Sequence, residues 1–166
     1  MTVLLCCNMS GTEKLTPLVI GKSKSPRCFK SVRHFPCDYH SQRRAWMTAD
    51  ALKKWLKKLD AKMRAENRKI ALFVDNCPAH PKDLDFLTNV RVVFLPPNTT
   101  SHTQPFDMRI IKNVKHYYRG RLVRQILNKL SRGTTLQPKD CRVDVLKAMH
   151  FLAVSVPVLL VIANDR

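Results

Sequence analysis

Two linked runs decide how this chain folds. The first is Lys69-Ile70-Ala71-Leu72-Phe73-Val74-Asp75-Asn76-Cys77-Pro78-Ala79-His80. The second runs from Val90 to Leu95 and continues as Pro96-Pro97-Asn98-Thr99-Thr100-Ser101-His102-Thr103-Gln104-Pro105-Phe106-Asp107. Their apolar and β-branched segments, bounded by Pro and Asn clusters, are too short for independent helices and read as buried strands. Asp75 closes the first segment. A carboxylate at a strand end stands on the rim of a sheet, where α/β folds gather their ligands. Asp107 follows the Pro-rich loop where an amphipathic pattern begins, so it is expected to open a helix behind Pro105. Two aspartates delivered from a strand end and a helix start can converge on a divalent metal, because Mg²⁺ takes one or two carboxylates alongside water and phosphate oxygens. Taken singly, each has a plainer account: Asp107 as a helix N-terminal residue favoured by the dipole, Asp75 as a turn former.

The words around these aspartates carry a resemblance. Val74 to His80, Phe94 to Ser101 and Gln104-Pro105-Phe106-Asp107 resemble the core motifs of the pogo/Tigger-type DDE transposase domain, which jerky-like proteins and centromere protein B share. Leu4 to Asn8, Leu18 to Ser23 and Ala45-Trp46-Met47-Thr48 resemble the same family in the same order. The resemblance implies an RNase H-like fold in which three acidic residues hold two divalent metals for phosphodiester cleavage and strand transfer. It makes Asp75 the second acidic residue and Asp107 the third, both catalytic and both ligands of Mg²⁺ or Mn²⁺ if the site functions. The family's first acidic residue lies on a strand ahead of the one that Thr2 to Cys7 resembles. With Met1 opening the sequence after that point, an incomplete triad and a sheet lacking its first, central strand are expected. Met108-Arg109 also stand where the family carries Gln-Gly after its third aspartate.

Composition points the same way. Among 166 residues, 30 Lys and Arg face 12 Asp and Glu, a net charge of +18. Such an excess suits a polyanion, since each Lys or Arg placed on a phosphate releases condensed counterions; the plainer alternative is a solvated basic surface. The length fits one domain, and 45% hydrophobic residues suffice for a core. Cys6, Cys7, Cys28, Cys37, Cys77 and Cys141 follow no framework spacing. No basic segment precedes Val3 to Cys7, so this run does not read as a signal peptide, and an intracellular setting with free cysteines is expected. Asn8-Met9-Ser10 and Asn98-Thr99-Thr100 are then chance sequons. Cys28, His34, Cys37 and His40 are close enough in sequence to be considered as zinc ligands, but their spacing fits no standard finger.

In chain order, Thr2 to Cys7 and Leu15 to Ile20 read as a hairpin. Gly21 to Arg44 is polar and basic, with Pro26 and Pro36 breaking any regular element. Lys22, Lys24, Arg27 and Lys30, with Arg33, Arg43 and Arg44, alternate there with Phe29, Phe35 and Tyr39; such a loop can track a nucleic-acid backbone or simply be solvated. Thr48 caps an expected helix whose Leu52, Trp55, Leu56, Leu59 and Met63 form one apolar stripe, leaving Lys53, Lys54, Lys57 and Lys58 to solvent. Trp46 and Trp55 both read as core residues. Asn76 is placed to position the carboxylates or to make an Asx-turn. His80 is a conceivable proton-transfer group, with loop shaping the preferred reading; His102 reads as a loop residue. Helical spacing continues from Asp107 to about Leu130, with Arg109, Lys112, Lys115 and Arg119 on a basic face suited to phosphates. Gly120 marks a close contact or a bend. Val143 to His150 reads as a further helix, after which the apolar run to Ala163, interrupted by Pro157, is too short for a membrane span.

These readings describe an α/β chain with an RNase H-like mixed sheet and flanking helices, a partial DDE domain over 1–135 and a divergent tail over 136–166. The expected function is that of a transposable-element-derived DNA-binding protein with a degenerate, catalytically inactive endonuclease domain. Alternatives are a residual metal-dependent endonuclease and an interaction module that pairs through an open sheet edge with a homologous chain or with itself. Neither a membrane nor a small-molecule substrate is expected, and a nuclear location is.

Overall fold

The computed structural model describes residues 1–75, 77, 80–81, 83–96, 110–133, 137 and 142–156. They belong to two compact units, Met1–Ala45 with Arg109–Arg166, and Trp46–Met108. The chain is mixed α/β, with one small sheet in each unit.

In the first unit, β1 (Thr2–Leu4) pairs antiparallel with β2 (Leu18–Gly21), placing Val3 opposite Val19. The expected hairpin is present, and its turn is tied by side chains. Asn8 Oδ1 accepts from Glu13 N at 3.0 Å and Asn8 Nδ2 donates to Thr12 Oγ1 at 2.9 Å. The polar stretch after Gly21 is more regular than expected. It holds a 3₁₀ turn at Arg27–Phe29 and a strand, β3 (Asp38–Ser41), parallel to β2. Asp-Tyr-His-Ser offers no apolar alternation to read, and all four residues are half-buried. Pairing with β2, rather than its own burial pattern, fixes β3. The Tyr39 ring occupies the space a Cβ on Gly21 would need, and its hydroxyl donates to Ser23 O at 2.7 Å.

Val19, Cys37, Val114, Met149 and Leu152 form the core of this unit. The last three come from α2 (Ile111–Leu130) and α3 (Val145–Ser155). Asp144 caps α3 by accepting from Lys147 N at 2.8 Å, which is the usual service of an Asp to an orphan amide. The apolar stripe of α2 stays packed for most of its length: Val114 is buried, Ile110, Ile111, Tyr118, Leu122 and Ile126 are half-buried, and Leu130 at its end is exposed. One reading of Gly120 needs correction. Gly120 marks no close contact, since a Cβ there would meet nothing within 4 Å.

In the second unit, α1 (Ala49–Ala65) buries Leu52, Trp55, Leu56, Leu59 and Met63, as the stripe requires. Burial of each such side chain contributes on the order of 2 kcal/mol. Thr48 Oγ1 accepts from Ala51 N at 3.3 Å. At the other end, Asn67 adopts φ 52° and bonds to Arg64 O at 3.0 Å, while Arg68 N reaches Met63 O at 2.8 Å. These two bonds are the Schellman closure of a helix. Trp46 precedes the cap and falls outside the stripe, so it is not a core residue: it is 65% exposed. Beyond the helix, β4 (Ile70–Val74) and β5 (Val90–Phe94) pair in parallel, Val74 opposite Phe94. They were expected to be buried throughout, but β4 alternates, with Ala71 and Phe73 exposed between half-buried neighbours. That is the period of a strand covered on one face.

Candidate functional site

The strand that pairs with the one leading to Asp75 is held at its start by a carboxylate within α1. Asp60 is almost fully buried, and its Oδ1 accepts from Thr88 N at 2.9 Å, Asn89 N at 2.7 Å and Val90 N at 3.0 Å. Its Oδ2 accepts from Arg64 Nη2 at 2.7 Å and Thr88 Oγ1 at 3.1 Å. Burial by itself would raise the pKa of this carboxyl. The hydrogen bonds from Asn89, Arg64, Thr88 and Val90 outweigh it and hold Asp60 well below the usual carboxylate range. With the start of β5 clamped, Asn89 O accepts from Ile70 N at 2.9 Å, and at the far end Val74 O accepts from Leu95 N at 2.9 Å. Asp75 and Pro96 therefore leave the sheet at the same end, the C-terminal edge of a parallel pair.

There the Asp75 side chain is 41% exposed, and the His80 side chain, at 14%, folds back on it. His80 Nδ1 lies 3.0 Å from the Asp75 carbonyl oxygen and 3.2 Å from its Oδ1. A carbonyl oxygen only accepts, so Nδ1 bears the hydrogen, and in the neutral ring Nε2 keeps its lone pair. His80 thus shapes the loop, with its amide donating to Cys77 O at 2.9 Å, and also touches the candidate carboxylate. Asp75 has the donor chemistry for Mg²⁺ or Mn²⁺. Among the described residues, no three His, Cys, Asp or Glu side chains gather into a metal-holding group. They supply one anchoring carboxylate rather than a complete ligand set. Asp107 and Asn76 lie outside the described residues.

The zinc candidates do not assemble among the described residues either. Cys37 is buried, its thiol donates to Met149 O at 3.5 Å, and burial, then Asp38, pushes its pKa up to about 11. Cys6 is likewise raised to about 11, first by burial and then by Cys7 and Glu13. Both are thiols at neutral pH, the less reactive form.

Of the basic residues expected to meet nucleic acid, Lys22, Lys24, Arg27 and Lys30 are exposed in the loop after β2. Phe29 packs its ring against Phe35 and Tyr39, with centroids 4.7 and 4.8 Å away, and contacts the core. The loop is therefore anchored by the aromatics that alternate with its charges. Lys112, Lys115 and Arg119 are exposed on α2 at spacings of three and four, one helical face. Arg109 lies outside the described residues. Sequence reasoning missed Asp60, although a signal existed: it stands four residues after Leu56 and three before Met63, inside the apolar stripe.

Asp75 and His80 thus meet at the C-terminal end of a parallel strand pair in a mixed α/β chain. The chain belongs to the DDE superfamily endonuclease family, whose family model matches residues 1–159. It is 40% identical over 128 residues to Tigger transposable element-derived protein 4 of mouse, covering 77% of this chain and 25% of that protein. Against human major centromere autoantigen B it is 35% identical over 153 residues, covering 92% of this chain and 24% of the relative. ARS-binding protein 1 of Schizosaccharomyces pombe is 35% identical over 146 residues, 80% of this chain and 28% of that protein. The chain spans about a quarter of the length of these curated relatives. No solved structure matches it significantly. No described helix is long and apolar enough to cross a membrane.

Proposed function

We propose that this chain is a transposase-derived DNA-binding element whose DDE endonuclease domain no longer cleaves. The observation that carries this reading is the exposure of Lys22, Lys24, Arg27, Lys30, Lys112, Lys115 and Arg119 in a chain of net charge +18. Charge of this density on exposed side chains binds phosphate backbones by releasing counterions. Membership of the DDE family and the likeness to a centromere autoantigen and an ARS-binding protein support DNA as the polyanion. The same reading takes β4 and β5 as part of an RNase H-like sheet and places the chain in the nucleus. Met108-Arg109, in place of the family's Gln-Gly, supports loss of cleavage.

The test is fluorescence anisotropy with duplex DNA across a salt series, coupled to a plasmid-nicking assay with Mn²⁺. Affinity that falls steeply with salt, with no nicking, is the expected result. Binding indifferent to salt would sink the reading.

A second reading has one observation in its favour, the contact of His80 with Asp75. In it, Asp75 and Asp107 hold one Mg²⁺ or Mn²⁺, which would polarise a phosphodiester when bound, while His80 orients the Asp75 carboxylate. Mn²⁺-dependent nicking that disappears in Asp75→Asn would replace the first reading with this one.

A further inference from the structure

Between α2 and α3 lies a cleft of about 370 Å³ whose wall carries Arg121, Arg124, Lys129, Arg132 and Lys147. No carboxylate among the described residues lines it. Arg121, Arg124, Arg132 and Lys147 face one hollow and repel one another, and an arrangement of that kind persists at least cost when an anion occupies it. Two further features point to a ligand. Arg121 Nε and Gln125 Oε1, both in the wall, are buried without a hydrogen-bond partner. A buried unpaired N–H is costly, and an anionic oxygen in the cleft would satisfy it. The Gln125 amide, turned over, would present its NH₂ to the same oxygen; the two orientations differ only in which end is named oxygen.

The last wall feature is Phe151, whose ring meets Tyr118 edge-on with centroids 6.2 Å apart. An apolar ring beside a row of cations matches a polynucleotide backbone, in which phosphates alternate with less polar sugars, better than a lone anion. Lys147 also sits in the first turn of α3, where the helix dipole adds positive potential.

The geometry points to this cleft as a phosphate-backbone groove for DNA, distinct from the loop at Lys22–Lys30 and from the Lys112–Arg119 face. It rests on the DNA-binding reading and assigns the place on α2 and α3 where the strand lies. Arg124 and Arg132 are exposed at its mouth and are the positions to alter.

The experiment compares the salt dependence of duplex binding for the wild-type chain, Arg124→Gln/Arg132→Gln, Arg124→Lys/Arg132→Lys and the charge-matched control Lys54→Gln/Lys62→Gln on α1. Each phosphate contact contributes roughly 0.9 to the slope of log affinity against log salt. The glutamine pair in the cleft should therefore flatten the slope by roughly 2, while the lysine pair and the α1 control keep it. Unchanged circular dichroism shows that the variants are folded. Salt-dependent wild-type binding with an unaltered slope in the cleft variant overturns the groove and leaves the DNA reading standing. Equal flattening in the α1 control overturns it too, because net charge would then explain the loss. Displacement of DNA by inorganic phosphate at matched ionic strength would make the cleft a site for a free anion and overturn the groove. Wild-type chain that binds no DNA at any salt overturns both readings together.

Discussion

Asp60 is the side chain on which the candidate site most depends, although it lies away from it. It gathers three backbone amides, a threonine hydroxyl and a guanidinium onto one buried carboxylate. Asp60→Ala would leave those donors unsatisfied and is expected to cost about 3–5 kcal/mol, the range for breaking a buried charged network. Asp60→Asn keeps an acceptor for the amides and should cost less, about 2 kcal/mol. Urea denaturation gives both values, and a loss below about 0.5 kcal/mol in the alanine variant, the range of ordinary surface substitutions, would show that the network is not structural. The pH dependence has a definite sign. The folded pKa of Asp60 lies below its unfolded value of about 4. Its contribution is therefore fully present above pH 4 and is lost as the pH falls from there towards the folded pKa. Urea midpoints measured between pH 6 and pH 2 should drop more steeply below about pH 4 in the wild type than in Asp60→Asn; parallel curves would contradict the assignment.

At the scale of elements, what could be read from the sequence was what repeats. The stripe of α1, its Thr48 cap, the β1–β2 hairpin and the two strands leading to Asp75 and Pro96 all announce themselves by period and by punctuation. β3 did not, because Asp38-Tyr39-His40-Ser41 owes its strand to pairing with β2 and to the fit of Tyr39 over Gly21. Trp46 misled because large aromatics are usually buried, whereas this one stands ahead of the helical stripe. Half of the candidate site was legible as the strand end at Asp75. The His80 contact was not, since it depends on how the loop folds back. The end of α1 yields its own prediction. Asn67 holds a left-handed conformation at φ 52°, which costs most residues roughly 1–2 kcal/mol and glycine almost nothing. Asn67→Ala should therefore destabilise by about 1 kcal/mol, and Asn67→Gly should be neutral or stabilising by a few tenths. The reverse order in urea titrations would mean that the Schellman closure does not form in solution.

For the molecule as a whole, the dominant quantity is its net charge of +18. Self-repulsion at that charge opposes the compact state, and salt relieves it by screening over about 8 Å at physiological ionic strength. The free chain should consequently melt at a higher temperature as salt is raised. Duplex DNA stabilises the fold as well, but its increment has the opposite dependence on salt. A ligand bound to the folded state at about 100 times its Kd adds about 2.7 kcal/mol of stability, but counterion release weakens that binding as salt rises. Melting curves with and without DNA should therefore lie far apart at low salt and converge as salt increases, the free curve climbing while the DNA increment shrinks. A DNA increment that stays constant through the series would show recognition that does not run through phosphates, and the exposed lysines and arginines would then be a solvated surface. Convergence from a raised, DNA-bound curve would show that the excess charge, costly to the free fold, is offset when phosphates replace the counterions.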